Sequence, residues 1–522
     1  MRRLMILVCV VAVCVFALAA CSGKDYDEGI AEVEDMIAET TKEPMEEENG
    51  GERAEIVPLT LQDVLGIASR RRESIVKPDY NILLAMTAGR TPIPGHPDGF
   101  FGDRGRGEPL ITVTVEDAIA DAWELFGLLR DVYGGYVYFG GDEVFYAIFE
   151  EIETELLGLG STVGYAVFVN VLYRNLSRAV VDNHFVIGNR RFGRDIAFFY
   201  PSGLYYDRSK NGFRNRETQL YLEHIEGHDI NDVMRLHIND NGELFYRPVL
   251  LIEEISDQRV QVYFMYEDGE RARRMLRRES FEWRERQYPS LEFIDGIPVV
   301  TVMTMGFDGH ENALNIEHAV PFLSFAEELR DEPVVIVDIR GNGGGNGFLP
   351  TRWLYALTGE IVPSNYVSLS TWEYNPESHA FDPENVFQNP PGIVEKFMSA
   401  GPFGEGYTVS NNEPRRIIER EQMLILLTDR GTASAAEGFT DHAFNMTNTL
   451  VIGTSTGGVL AFDMTYPQLY LSNTGTPFGL GRTMMLWPDG HFAEGVGIQP
   501  DIWASGDALT AALALVRNEV GR

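Results

Sequence analysis

The chain has 522 residues, 44% of them hydrophobic, and a formal net charge of −35. This length and hydrophobic content are sufficient to bury a large core and to form two to four domains. The acidic balance argues against a nucleic-acid partner, because binding to a phosphate backbone requires a basic surface.

The N-terminus has the pattern of a secretory signal. Arg2 and Arg3 precede an apolar run, Leu4–Ala17, which is too short to span a bilayer, and small residues then lead to Cys21. The pattern resembles a bacterial lipoprotein signal over residues 1–20. It implies acylation of Cys21 and a lipid-anchored location on the extracytoplasmic face of the cell membrane. The alternatives are an ordinary signal and an uncleaved anchor.

After such cleavage, the mature chain would keep one cysteine. Cys9 and Cys14 lie inside the signal, so a disulfide, a thiol nucleophile and a cysteine-ligated metal are not expected. Residues 21–56 are rich in Asp and Glu and poor in aromatic residues. Such a composition cannot bury enough apolar surface to fold, which predicts a disordered acidic tether.

Residues 57–195 are predicted to form a helical N-terminal domain. Apolar residues recur at helical spacing in three stretches, and packing into a core is the simplest interpretation of these stripes. They run from Ala118 to Leu129, from Phe145 to Leu156 and from Val167 to Leu176.

Residues 196–290 are predicted to form a β domain. Segments 260–266 and 271–276 flank an Asp-Gly turn and are typical of a hairpin. Upstream, an Ile-x-Gly-x-x-Ile turn at 225–230 leads into a predicted helix through Met234 and Leu236. This order of strand, turn and short helix resembles a degenerate PDZ domain.

Residues 291–522 alternate short apolar strands with helices, which predicts an α/β core with buried strands. The fold class is therefore α/β and multidomain, with a helical N-terminal domain and a PDZ-like β domain before the core. The predicted strands of the core are 299–303, 334–337, 423–427 and 449–452, and its helices are 322–329, 435–444 and 509–520.

A glycine-rich turn follows the second of these strands. Residues 338–345 read Asp-Ile-Arg-Gly-Asn-Gly-Gly-Gly, and glycines let backbone N–H groups approach a ligand closely. The turn contains no G-x-G-x-x-G and no Gly-Lys-Ser/Thr, so an oxyanion hole fits it better than a phosphate site. Asp338 and Arg340 are expected to brace the turn.

A second segment, residues 428–437, contains a candidate nucleophile. A strand ends, the chain turns, and a helix begins near Ser434. The positive end of a helix dipole favours a developing oxyanion at such a hydroxyl. The alternative is that Ser434 is only an N-cap.

Together, the two motifs resemble the tail-specific (C-terminal processing) serine peptidase family, and the resemblance extends over most of the chain from about Ala122. It implies an α/β peptidase core in which Ser434 is the nucleophile. It also implies that the backbone N–H groups of Gly344 and Ala435 form the oxyanion hole, with the choice of glycine open by one position within Gly343 to Gly345.

The catalytic base distinguishes two branches of that family. The Ser/Lys branch would have a lysine near Val459, where this chain has none. The tricorn-like branch has a histidine at the end of the helical domain, which corresponds to His184, and a glutamate before a Gly-x-Gly-x-x-Pro-Asp stretch, which corresponds to Glu494. The resemblance thus implies His184 as general base and Glu494 as its support, directly or through a bridging side chain. Asn183 stands where that branch has a serine.

Other candidate residues are less suited to these roles. Ser455 lies in a Gly-x-Ser-x-Gly sequence without the helix that a nucleophile elbow requires. His442 lies on the predicted helix of Ser434, about 12 Å further along its axis. His491 is a minor rival to His184. The remaining histidines considered lack metal-ligand spacing, so neither a metal nor another cofactor is expected; they are His224, His228, His310 and His318.

The resemblance implies a serine endopeptidase that acts on polypeptides, in unfolded or C-terminal segments. The PDZ-like block would be a docking module that adds a peptide as an edge strand. The alternative is a catalytically inactive peptide- or lipid-binding protein on the same scaffold, because a fold does not fix a function and relatives of this architecture include a retinoid carrier. The physiological substrate and the oligomeric state stay open.

Overall fold

The structure is a computed structural model. The predicted signal peptide, Cys21 and the acidic tether lie outside the residues it describes, which all belong to one compact unit, Ile56–Arg522. No helix within the described ranges is both long and apolar enough to cross a membrane. Those ranges are 59–78, 110–194, 196–253, 259–279, 289–305, 314–371, 401–403, 407–410, 414–463, 469–487 and 491–520.

The three apolar stripes near the N-terminus are helices, as predicted, and most of their apolar side chains are buried. Val167 is an exception, because it is exposed at the start of its helix. Thr114 caps one helix by accepting the N–H of Asp117 at 3.1 Å, a typical N-terminal cap. The elements of this block are α1 (Leu61–Glu73), β1 (Thr112–Thr114), α2 (Val115–Val132), α3 (Gly141–Leu157), β2 (Thr162–Gly164) and α4 (Tyr165–Leu176).

A two-stranded turn region, in which His184 lies, follows these helices, and a set of antiparallel strands comes next. The predicted hairpin around the Asp-Gly turn is confirmed, with Val262 opposite Arg274 in its register. The first six strands of this part are β3 (Asp182–Ile187), β4 (Arg190–Phe192), β5 (Ile196–Pro201), β6 (Tyr206–Ser209), β7 (Gly212–Asn215) and β8 (Tyr221–Ile225). They are followed by α5 (Ile230–Val233), β9 (Met234–Ile238), β10 (Leu244–Pro248), β11 (Leu250–Glu253), β12 (Arg259–Tyr266) and β13 (Arg271–Arg278).

The predicted helix through Met234 and Leu236 is wrong beyond its first turn. Helix α5 has four residues, and Met234 already begins β9. Strand β9 is paired along its whole length with β10, and at its end also with a strand of the C-terminal core. These tertiary pairings outweigh a local helical signal. The PDZ resemblance stays a prediction.

The C-terminal part is an α/β core with buried parallel strands, as predicted. Val335 and Val337 pack into one hydrophobic cluster and Ile336 into another, because alternate side chains point to opposite, covered faces of the sheet. Its elements up to residue 410 are β14 (Ser290–Ile294), β15 (Ile297–Thr301), α6 (Leu314–Glu328), β16 (Val334–Asp338), α7 (Phe348–Thr358), β17 (Val367–Ser370), β18 (Gly401–Phe403) and β19 (Tyr407–Ser410). The rest are β20 (Met423–Thr428), α8 (Ala435–Ala443), β21 (Thr449–Gly453), β22 (Leu469–Tyr470), β23 (Pro477–Gly479), β24 (Thr483–Leu486), β25 (Ile502–Ala504) and α9 (Ala508–Val520).

In the part of the chain that the structure describes, one sheet of fifteen strands joins the antiparallel block to this core. The junction is a parallel pairing of β9 with β25, in which Trp503 lies opposite His237. The sheet therefore crosses residue 290, where the sequence suggested a boundary.

A smaller four-stranded sheet brings the helical block onto the core. In it, β3 and β4 pair with β22 and β23, so Phe478 lies opposite Ile187. The hydrophobic core of the helical block also takes in Phe462, Phe478 and Met484 from the C-terminal part. The strand that carries His184 is thereby fixed against a segment nearly 300 positions further along the chain.

Candidate active site

Ser434 lies in a sharp turn between β20 and α8, as the sequence predicted. Its φ is +53° and its ψ is −120°, a conformation that is uncommon for any residue other than glycine. Strained conformations of this kind are concentrated at functional sites, where the surrounding structure holds them. The next residue, Ala435, begins the helix, so its N–H is one of the helix donors without an intrahelical acceptor.

A buried carboxylate, Glu437, holds this turn, and sequence reasoning did not single it out. It accepts the N–H of Ser434 at 3.0 Å, that of Gly458 at 2.8 Å and that of Val459 at 2.7 Å. Burial raises its pKa, against the opposing effect of these hydrogen bonds. Its spacing from Ser434, three positions into a helix, was the available signal, because a capping box has that spacing. Glu437 thus ties the Ser434 turn to the loop where the Ser/Lys branch would have its lysine.

The glycine-rich turn lies directly against Ser434. Gly344 has φ +92°, and a Cβ added there would be 2.7 Å from the Ser434 Cβ and 2.9 Å from the Ala435 nitrogen. Only a glycine fits at such a close approach. The N–H of Gly344 donates to Asn342 Oδ1 at 2.9 Å, whereas the N–H of Gly343 donates to no acceptor among the described residues.

Asp338 and Arg340 brace the turn, as expected. Arg340 Nη2 lies 2.6 Å from Asp338 Oδ2, and its Nη1 donates to Asp507 Oδ2 at 2.8 Å. The two carboxylates raise the pKa of Arg340 above its ordinary value, against the effect of burial. This pairing anchors the start of the glycine turn to the C-terminal helix.

His184 projects from β3 in a buried position, with 6% of its surface exposed. Its Nδ1 is buried and has no hydrogen-bond partner among the described residues. Burial, with a smaller contribution from the charge of Arg191, lowers the pKa of His184 to about 4. The imidazole is therefore neutral at physiological pH, as a general base must be.

Asn183 and Glu494 meet beside His184 through the main chain of Asn183. Glu494 Oε1 accepts the backbone N–H of Asn183 at 2.8 Å, and its Oε2 accepts that of Ala461 at 3.0 Å. The Asn183 side chain instead donates to the Gly458 oxygen at 2.8 Å. Burial, followed by the charge of Asp182, raises the pKa of Glu494 well above its ordinary value. Glu494 thus binds the main chain at the residue before His184.

A continuous hydrogen-bonded path joins the two predicted catalytic segments. The Asn183 side chain binds the oxygen of Gly458, the N–H of Gly458 binds Glu437, and Glu437 binds the N–H of Ser434. The segment that carries Glu494 is held beside this path by Arg430, whose guanidinium makes its three shortest hydrogen bonds to main-chain oxygens. These are the oxygens of Thr456 at 2.8 Å, Val496 at 3.0 Å and Gly495 at 3.1 Å.

The rival residues are engaged elsewhere. Ser455 is fully buried, and the described residues that follow it, 456–463, contain no helix. His442 Nδ1 is bonded to the oxygen of Val362 at 2.9 Å, and His491 Nε2 lies 3.4 Å from Asp441 Oδ1. Among the described residues, no group of three or more His, Cys, Asp or Glu side chains could hold a metal ion.

Comparison with known proteins finds one family model that is similar to the C-terminal core. Residues 315–504, which include both motifs, match the model of Peptidase family S41. No curated protein matches the chain by sequence. Among solved structures, mature CPAF is similar at 15% identity, with a TM-score of 0.38 over 78% of this chain and 98% of that one.

Two further solved structures are similar to the chain. The photosystem II D1 C-terminal processing protease has 14% identity and a TM-score of 0.33, over 74% of this chain and 93% of that chain. The tricorn protease has 13% identity and a TM-score of 0.35, over 78% of this chain and 37% of that chain. The match of residues 315–504 to a peptidase family model supports serine-type hydrolase activity for this chain.

Proposed function

We propose that this chain is a serine endopeptidase in which Ser434 is the nucleophile, His184 the general base and Glu494 its support. The observation that carries the proposal is the hydrogen-bonded path from Asn183 through Gly458 and Glu437 to the N–H of Ser434. This path links strand β3, which carries His184, to the turn that carries Ser434.

The reaction follows from these groups. Ser434 Oγ attacks the carbonyl carbon of a peptide bond while His184 takes the hydroxyl proton. His184 then donates that proton to the departing amine, which leaves an acyl-enzyme on Ser434. Water, activated by the same imidazole, releases the acyl group as a carboxylic acid and restores the serine.

The developing oxyanion requires backbone donors beside Ser434. Ala435 supplies one, since its N–H is at the start of α8. For the second, we assign Gly343, because the N–H of Gly344 is already donated to Asn342 Oδ1. Gly344 then provides the space that lets the turn approach Ser434.

A fluorophosphonate probe tests the chemistry. Wild-type protein should be labelled at Ser434, and Ser434→Ala and His184→Ala should not. Ser455→Ala is the matched control, because it removes the rival serine of the Gly-x-Ser-x-Gly sequence and should leave labelling unchanged. A folded wild-type protein that stays unlabelled would contradict the proposal and favour the binding protein. The observation that supports the binding protein is that His184 Nδ1 has no hydrogen-bond partner among the described residues.

We also propose that the chain is anchored by lipid at Cys21 on the extracytoplasmic face of the membrane, with polypeptides as its substrates. Its support is the signal-like sequence before Cys21, since two or three acyl chains hold a protein on a bilayer where one does so only marginally. Metabolic labelling with a radioactive fatty acid tests the anchor. Cys21→Ala should abolish incorporation, and Cys14→Ala, inside the signal, should not. Incorporation that persists in Cys21→Ala would refute it.

A further inference from the structure

The strand that carries His184 is interrupted at that residue by a wide bulge. Asp182 on β3 pairs with Phe192 on β4, but the next pairing joins Val186 to Arg191. One step along β4 therefore corresponds to four steps along β3. Residues 183–185, which include the imidazole, are displaced from the ladder, and such bulges re-aim a side chain at functional sites.

The carboxylate of Asp182 closes this bulge. Its Oδ1 accepts the N–H of His184 at 2.7 Å and that of Phe185 at 3.1 Å. Both donors are removed from the ladder by the bulge and require an acceptor, because an unpaired buried N–H is costly. The N–H of Asn183, the first displaced residue, goes to Glu494. Two carboxylates thus hold successive peptide groups around the imidazole.

Tyr133, at the end of α2, fixes the orientation of Asp182. Its hydroxyl donates to Asp182 Oδ2 at 2.9 Å, and both side chains are fully buried. The Tyr133 ring also stacks on Phe185, with 5.5 Å between the ring centroids. The helical block therefore reaches the bulge through one hydrogen bond and one ring contact.

Burial of the Asp182 carboxylate is energetically unfavourable. Burial raises its pKa to about 7, against its hydrogen bonds, and the charge of Asp463 adds to the rise. A second buried carboxylate, Glu494, is close enough for its own pKa to be raised by Asp182. Two buried carboxylates so close together are not expected to stabilise the fold. What the two carboxylates have in common is that they accept the backbone N–H groups of residues 183–185.

We propose that Asp182 and Tyr133 are a positioning pair that sets the direction of the His184 imidazole toward Ser434 by closing the bulge in β3. The inference rests on the proposed function, in which His184 is the base. The carboxylate of Asp182 acts through the backbone of His184 and touches no reacting atom.

Inactivation by the fluorophosphonate probe separates this role from a purely structural one. Removing the acceptor in Asp182→Ala should lower the maximal inactivation rate about 100-fold, the effect of a displacement near 1 Å, with the probe affinity little changed. Asp182→Asn keeps an oxygen that can accept both N–H groups, so it should restore the rate to within about 5-fold of wild type. Tyr133→Phe should lower the maximal inactivation rate a few-fold.

Asp121→Ala is the matched control. Asp121 is also fully buried in the helical block, and it accepts the N–H groups of Asn473 at 2.9 Å and Thr474 at 2.7 Å. Asp121→Ala should be less stable than wild type but should keep the wild-type inactivation rate. The fraction of protein labelled at the end of the reaction gives the fraction that is folded.

Equal rates in Asp182→Ala and Asp121→Ala would overturn the inference, as would Asp182→Asn as slow as Asp182→Ala. If Asp182→Ala does not fold, a wild-type rate in Tyr133→Phe overturns it. An unlabelled wild-type protein would instead overturn the proposed function, before any variant is compared.

Discussion

The close approach of Gly344 to Ser434 allows a quantitative test of the site by one added methyl group. In Gly344→Ala, the new Cβ would lie 2.7 Å from the Ala433 oxygen and from the Ser434 Cβ, whereas ordinary contact begins at 3.4 Å. The turn at Ser434 must therefore move by about 0.7 Å, since most of the atoms in contact are backbone. A displacement near 1 Å from the productive geometry costs about 100-fold in rate, so we expect probe labelling to slow by at least about 30-fold.

The same substitution should also destabilise the fold. A side chain at φ +92° costs roughly 1–2 kcal/mol, and overpacking adds roughly 1–3 kcal/mol. The free energy of unfolding should thus fall by about 2–5 kcal/mol, which urea denaturation measures.

Gly343→Ala is the control for both measurements. A Cβ at Gly343 meets nothing within 4 Å, and alanine retains the backbone N–H assigned to the oxyanion. Its labelling rate should stay within about 2-fold and its stability within about 0.5 kcal/mol of wild type. Equal effects of the two substitutions, or wild-type labelling by Gly344→Ala, would refute the close packing of the glycine turn on Ser434.

Three further predictions concern the stability of the site and its surroundings. Arg72→Met should lower the free energy of unfolding by about 3–5 kcal/mol, because the buried Asp501 would lose its buried arginine partner and keep only the longer contact with the half-exposed Arg71. Arg71→Met should lower it by less than about 1 kcal/mol, and similar urea midpoints for the two variants would contradict this. Arg430→Lys should lower the free energy of unfolding by about 2–4 kcal/mol and slow probe labelling, because a lysine cannot reach all the carbonyls that the guanidinium binds. An unchanged urea midpoint would contradict this role of Arg430. The lowered pKa of His184 means that the unfolded chain takes up a proton as the pH falls from 6.5 toward 4 and the folded chain does not, so stability falls in that window, by roughly 3 kcal/mol in total for this group. Wild-type protein should lose that much more than His184→Gln between pH 7 and 4 in urea titrations, and parallel losses would show that the imidazole is not buried.

The sequence predicted the local elements of the core well, because each depends on neighbours a few positions away. The β20 strand, the turn and the helix after Ser434 follow from apolar runs bounded by turn residues. The hairpin of β12 and β13 follows from an Asp-Gly turn between alternating strands. The same local reasoning failed beyond Val233, where pairing of β9 with strands on both sides replaced the predicted helix.

The roles of the polar side chains around the predicted base could not be read in this way. The sequence left open whether Glu494 supports the site directly or through a bridging side chain; the backbone N–H of Asn183 reaches Glu494, while its side chain reaches Gly458. The sequence assigned no role to Asp182, because its use in closing the bulge depends on the register between β3 and β4. Which polar atom meets which is a property of register and packing, which no residue spacing specifies.

The sequence alone therefore determined the chemical types present and the local geometry of each piece: a serine at a helix start, glycines in a turn, and helices with one apolar face. The tertiary structure alone decided that these pieces share a site, that Glu437 and Arg430 hold them together, and that His184 is buried with its pKa lowered to about 4. The reason is physical: hydrogen bonds within a turn or a helix form between near neighbours, whereas burial and charge depend on side chains brought together from distant parts of the chain.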